Sequence, residues 1–271
     1  MGDNNMSIKN EIKFALYAIK KNIESSAELR TSFLMNIFGM AINNIAFILL
    51  WMFFAKSTGS IGGWTPMDII GMQGFLAISY GIVLVVANGI RKVADYTASG
   101  AFDRFMLSPK NLLIRIATSG MNVSAIGDLL FGIVCVTIYS IAIHVGLLQV
   151  FLIFILIVIS TISFLSTMIA IYSTSFFFID ANTVTTGIFE LYFTPALFDG
   201  GAFQGIMRFI FTFIIPSLLI GALPVEILKN ISFDKLLLTC ILASVWFVIS
   251  VFIFNKAVRR YESSNLMTFG N

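Results

Sequence analysis

The chain has 271 residues, 58% hydrophobic and 11% charged, with a formal net charge of +3 and a mean hydropathy of +0.94. Soluble domains carry about 25% charged residues, so this composition excludes a water-solvated globule and calls for several lipid-embedded spans of about 20 residues each. The small net charge argues against a nucleic-acid partner. Cys135 and Cys240 both sit in apolar runs and read as packed small hydrophobes rather than a disulfide framework or a metal site.

The first thirty residues are charged and periodic, so no cleavable leader is expected. Ile8, Ile12, Leu16, Ile19 and Ile23 recur every three or four positions, and Lys9, Lys13, Lys20 and Lys21 occupy others. The pattern predicts a helix from Ile8 to Ala27 lying in the membrane interface, its lysines toward anionic headgroups. A soluble amphipathic helix packed on a partner would carry the same signature.

The fold expected is all-α, with six transmembrane helices in a single domain. The first span is predicted at 32–55 and carries Asn36, Asn43 and Asn44, followed by a turn-forming loop with Gly62, Gly63 and Pro66. The second is predicted at 68–90, the third at 116–144, the fourth at 148–178, the fifth at 206–223 with Pro216 inside it, and the sixth at 235–255. Between the second and third spans lies a charged stretch, 91–115, containing Ser99-Gly100 and Pro109. Within it Ala94, Ala98, Ala101, Phe102 and Phe105 read as a short amphipathic helix interrupted by Gly100. Residues 179–205 are expected to form a second loop on the same side.

Lysine and arginine positions then orient the chain. With the N-terminus in the cytoplasm, the inside segments hold Lys9, Lys13, Lys20, Lys21, Arg30, Arg91, Lys92, Arg104, Lys110, Arg115, Arg208, Lys256, Arg259 and Arg260. Only Lys56, Lys229 and Lys235 fall outside, a split of 14 to 3. Both termini are therefore expected in the cytoplasm of a cell-membrane protein.

Several devices are missing from the sequence. There is no G-x-x-x-x-G-K-[ST] phosphate loop and no G-x-S-x-G elbow, and the single histidine, His144, falls at the outer end of the third span. No catalytic or metal-ligating set is expected. Asp128, well inside the third span, would cost about 2.5–3.5 kcal/mol at a helix centre as a bare charge, so it must be protonated, paired or facing a cavity. Two readings stand for it: a gating or substrate-cation contact, or a structural hydrogen bond to a neighbouring helix. Asn43 and Asn44 could likewise be packing glue or cargo contacts. Glu190 and Arg208 are read as flanking the fifth span at its cytoplasmic end, as gate charges or interfacial anchors. Pro216 should loosen that span.

The run from Ser99 to Pro109, SGAFDRFMLSP, resembles the "G-x-[LF]-D-x-x-[LM]-L-x-P" signature of type-2 ABC transporter permeases, exporter-type, and within them the viologen-exporter-like subgroup. Phe213-Ile214-Ile215-Pro216 with Leu223-Pro224-Val225-Glu226 is similar to that subgroup's "F-x-x-P…x-P-A" pattern. Arg259-Arg260-Tyr261-Glu262-Ser263-Ser264-Asn265 resembles its "R-R-Y-x-S-x-N" tail, and Arg30-Thr31-Ser32-Phe33 its "Y-R-x-x-F" start, with Leu29 in place of the tyrosine and Val225 in place of a small residue.

The resemblance implies half of an ATP-driven export pathway, pairing with a second copy or a sister permease and docking two separate ABC ATPase subunits. No cofactor would be bound by this chain, and ATP and Mg would sit on the partner ATPase. It implies that 8–30 is a connecting helix and that 91–115 is the coupling segment, with Gly100, Phe102, Asp103, Arg104 and Pro109 as its shaping residues. The alternatives are a proton-coupled secondary transporter working through Asp128, which would usually show repeated halves, or an intramembrane lipid-modifying enzyme pairing Asp128 with Glu190 or Asp180.

Overall fold

A computed structural model describes residues 8–28, 30–58, 62–178 and 180–261, with backbone alone over 54–58. Helix α1 (Ile8–Ala27) precedes α2 (Arg30–Thr58), a long apolar helix. Helix α3 (Pro66–Val86) starts where a helix should: Thr65 and Asp68 form a reciprocal capping box and Pro66 takes the first turn. Short helices follow, α4 (Val93–Ala98), α5 (Asp103–Met106) and α6 (Leu112–Ala117). Helices α7 (Ala125–Ala142) and α8 (Leu147–Ser173) form the next pair, joined by a tight turn in which His144 adopts a left-handed conformation with φ of 51°. Then come α9 (Ala181–Ala196), α10 (Gly205–Phe209), α11 (Ala222–Lys229) and α12 (Phe233–Val258).

Among the described residues five helices are long and apolar enough to cross a membrane: Arg30–Phe53, Pro66–Val86, Ala125–Ala142, Leu147–Phe176 and Phe233–Val258. The protein is a multi-pass, all-helical membrane protein. Its centre is the α3–α7 pair, the most extensive helix contact in the fold. Small residues make that approach possible. A Cβ on Gly132 would lie 2.6 Å from the Ile78 amide nitrogen and 2.8 Å from the Gly74 carbonyl. Helix α8 packs along both α3 and α12, whereas α2 leans on α7 and α3 with one face only.

Several boundaries differ from expectation. The third span does not begin at 116: α6 ends at Ala117, an irregular segment follows, and α7 starts at Ala125. Gly89 explains the break, since a Cβ there would fall 1.8 Å from the Ile116 carbonyl oxygen, so the chain is pinned against the end of α3 before it can enter α7. The fourth span stops as an α-helix at Ser173 rather than 178.

The larger correction concerns 179–223. Residues 179–205 are not a loop at the basic end of the bundle. Helix α9 starts beside α4, where the Asn182 amide donates to Asp95 at 2.7 Å, and finishes at the opposite end, where Gly200 lies beneath Trp64. Nor does 206–223 form one span. Helix α10 continues as a π-helical turn over Ile210–Ile214, stops at Pro216, and the chain reverses into α11. Ser160, midway along α8, donates to the Leu219 carbonyl at 3.4 Å, and Glu226 returns to within 2.6 Å of Arg208. The segment is a helical hairpin dipping into the bundle from the end opposite the basic helices. Pro216 supplies the reversal because it offers no amide to continue the ladder.

Candidate functional site

Three regions carry the polar and exposed chemistry of the molecule. The first is the segment between α3 and α7. Gly100, with φ of 70°, closes α4 and turns the chain so that Phe102 is fully buried. Its ring packs against Phe105, Phe176 and Tyr261, with Phe176 in turn on Phe254. Phe102 therefore ties the short helices to the ends of α8 and α12. Asp103 opens α5, and the Arg104 guanidinium covers Tyr96 and Phe105. Arg115 of α6 donates to the carbonyls of Arg104 and Phe105, fastening α6 to α5. Met106 and Leu107 project outward, Leu107 being 86% exposed, and Pro109 is exposed beside them.

The second region is a cavity of about 210 Å³ between α2, α3, α7 and α9. Asp128 is buried there. Its Oδ1 accepts from the Asn44 amide at 2.6 Å, and its Oδ2 has no hydrogen-bond partner among the described residues. Asn43 shares the wall with Phe47, Tyr80, Phe131 and Phe193. Gln73 lies at one end, donating to the Leu197 carbonyl at 3.3 Å. At the other end Tyr80 accepts from Arg91 at 3.5 Å and touches Phe193 and Phe164. An unpaired buried carboxylate oxygen beside aromatic faces suits a guest that brings a hydrogen-bond donor or a positive charge on an apolar body.

The third region is an ion network at the far end. Asp68, 2% exposed, accepts from Lys229 at 2.7 Å, from Tyr139 at 3.2 Å and from Thr65. Lys229 also donates to the Gly63 carbonyl. Glu226 pairs with Arg208 at 2.6 Å and Lys235 at 3.4 Å. The two carboxylates hold the hairpin to α3 and to the start of α12. With the open cleft of about 650 Å³ that they border, these pairs form a latch over that end of the bundle.

The structure thus brings Asp128, Asn43 and Asn44 to one cavity. Asn36 does not join them, because its amide donates back to the Ser32 carbonyl of its own helix. Glu190 and Arg208 do not flank one helix end. Glu190 lies on the open face of α9, and Arg208 sits in the far-end latch, away from the basic helices. Pro216 lines a separate apolar cavity with Tyr192, Thr167 and Trp246. Sequence reading passed over Gln73, Tyr80, Asp68 and Glu226. Gln73 was a legible signal, as an amide in the middle of an apolar run, but Asp68 and Glu226 looked like ordinary helix-end residues. The tail beyond Tyr261, including Glu262, Ser263, Ser264 and Asn265, and position 29 lie outside the described residues. Among the described residues no cluster of His, Cys, Asp and Glu is grouped to hold a metal.

A family model described as ABC-2 family transporter protein matches residues 40–265. A search of curated proteins finds no match. The matched stretch takes in the cavity, the segment around Phe102 and the far-end latch together. The chain belongs to the ABC-2 transporter family and is a permease component of an ABC transporter.

Proposed function

We propose that the chain is the membrane-spanning half of an ATP-driven exporter in the cell membrane, coupled to separate ATPase subunits that carry the ATP and Mg. The chain itself contributes no catalytic group and binds no cofactor. Its basic end faces the cytoplasm with both termini. Moving Arg208 to the far end changes the lysine and arginine split from 14 to 3 into 13 to 4, and the excess keeps its sign. Helix α9 makes the sixth crossing, and the α10–α11 hairpin re-enters from the outside.

One observation carries the coupling: Phe102 sits at the junction of the short helices with the ends of α8 and α12, while Met106 and Leu107 stand out beside it. A soluble subunit pressing on that apolar tip would move several spans at once. The open face of α9 supports pairing with a second permease. Thr183, Thr186, Gly187, Glu190 and Thr194 are exposed there, with nothing near Gly187. A carboxylate and a row of hydroxyls are costly against lipid. They suit instead a water-lined path or a like helix across a two-fold axis. The Asp128 cavity is the cargo contact beside that path.

Leu107→Asp tests the coupling. The position is exposed, so stability should change by no more than about 0.5 kcal/mol. The ATPase that co-purifies with the wild-type chain from native membranes should be lost. Undiminished recovery of that subunit would overturn the assignment of the docking tip.

A further inference from the structure

Helix α1 has three faces, and each has a different counterpart. One face touches the protein: Glu11 accepts from the Asn111 amide at 3.3 Å, Phe14 lies under Lys110 at 5.6 Å, and the Asn22 amide donates to the Thr118 carbonyl at 2.9 Å. Asn111 and Thr118 are the two caps of α6. So α1 runs alongside α6 and holds it at both ends, and α6 in turn grips α5 through Arg115.

The adjoining face is apolar and uncovered. Ile8, Ile12 and Leu16 are 79%, 54% and 62% exposed, and Ile23 continues the stripe. The remaining face carries Lys9, Lys13, Lys20 and Lys21. Glu24 lies near two of them, 2.7 Å from Lys21 and 3.7 Å from Lys20. The hydrogen bond from Lys21 lowers the Glu24 pKa, so this carboxylate stays charged and offsets part of that pair. Lys9 and Lys13 have no carboxylate within ion-pairing distance among the described residues.

We propose that α1 is a sensor for anionic phospholipid, with its apolar stripe in the acyl boundary and Lys9 and Lys13 among the headgroups, and that it transmits lipid binding through the α6 caps to the 91–115 segment. The occupant follows from position and charge. Only Glu28 and residue 29 separate α1 from the apolar α2, which holds α1 at the level of the bilayer surface. A basic flank beside an exposed apolar stripe matches a negatively charged lipid surface. The contacts at Asn111 and Thr118 make the response more than anchoring: when α1 is held by lipid, both ends of α6 are held, and so is the α5 turn that carries Met106 and Leu107.

The inference rests on the membrane orientation proposed above and not on ATPase docking. The full chain would be placed in nanodiscs of phosphatidylcholine alone, or of phosphatidylcholine with phosphatidylglycerol, and amide hydrogen exchange followed over 8–27 and 104–118. Phosphatidylglycerol should slow exchange in both segments. Lys9→Gln with Lys13→Gln should cut the slowing by about fivefold per lysine, the factor that a basic group near an anionic surface supplies. Glu11→Ala together with Asn22→Ala should keep the slowing in α1 and lose it over 104–118. Equal exchange in the two lipid mixtures, or a double variant that responds like wild type, would overturn lipid sensing. A chain carrying both Glu11→Ala and Asn22→Ala that is still slowed over 104–118 would overturn the relay. Slowing of α1 that appears only when a soluble ATPase is added would assign the lysine face to that protein instead. A chain that ignores phosphatidylglycerol yet still recruits an ATPase would remove the sensor and leave the permease reading standing.

Discussion

Helices α3 and α9 run between the same two ends of the bundle and are built on opposite plans. Helix α3 is buried over most of its length, and its polar side chains Asp68, Gln73 and Ser79 all have partners. Helix α9 buries Thr185, Phe189 and Tyr192 on one side and presents Thr183, Thr186, Glu190 and Thr194 on the other. The polar groups of α3 are satisfied by their own chain, whereas those on the outer face of a membrane helix have no such partner at hand. The difference separates a helix covered by its own chain from a helix with one polar face left uncovered by it.

The contrast can be broken most strongly at the latch that holds the hairpin to α3. Lys229→Met would leave the buried Asp68 carboxylate without its cation, and loss of about 3–5 kcal/mol is expected. Thermal unfolding in detergent should register it, and neutralising Asp68 as well, by Asp68→Asn, should return part of the loss. Next come paired glycine substitutions. Gly132→Leu meets fixed backbone at Ile78 and Gly74 and should destabilise the α3–α7 core by about 3 kcal/mol. Gly187→Leu on α9 meets nothing within 4 Å, so the single chain should keep its stability within about 0.5 kcal/mol. Crosslinking between copies in the membrane should fall for that variant, and equal crosslinking would place the partner on another face.

The smallest structural effect is expected at Asp128→Asn. The amide keeps the volume and can still accept from Asn44, so unfolding should shift by about 1 kcal/mol or less. A cationic fluorophore bound in the cavity should bind at least about tenfold more weakly, because a hydrogen bond to a charged group contributes about 1.5–3 kcal/mol. Unchanged affinity would return Asp128 to a purely structural role.

Much of the chain was legible from one dimension. Spans with long unbroken apolar runs, at α2, α3, α8 and α12, fall within a few residues of where hydropathy puts them. The left-handed turn at Gly100 and the short helices on either side of it follow from glycine and proline placement. The depth of Asp128 made legible that it needs a proton, a partner or a cavity, but not that Asn43 and Asn44 would line the same wall. The region from 179 to 223 was not legible, for a reason of physics. Hydropathy sums transfer energies along a window and ignores direction, so the apolar α10 segment scores as a span while the threonine-rich α9 does not. Helix α9 holds its place because its other face is covered by Phe164 and Arg91, which belong to other elements.

Composition and periodicity by themselves determined that this protein lives in lipid, that its cations collect at one end, and that α1 has an apolar stripe beside lysines. The tertiary structure alone decided which elements run the length of the bundle and which turn back. It moved Arg208 from the basic end to Glu226 at the other, gave Asp68 its cation from Lys229, and set α1 against both caps of α6. Each of those outcomes depends on which groups meet across 96 to 161 residues or across a reversed hairpin. Local propensity carries no record of such meetings, because the energy that selects them exists only once the helices have packed.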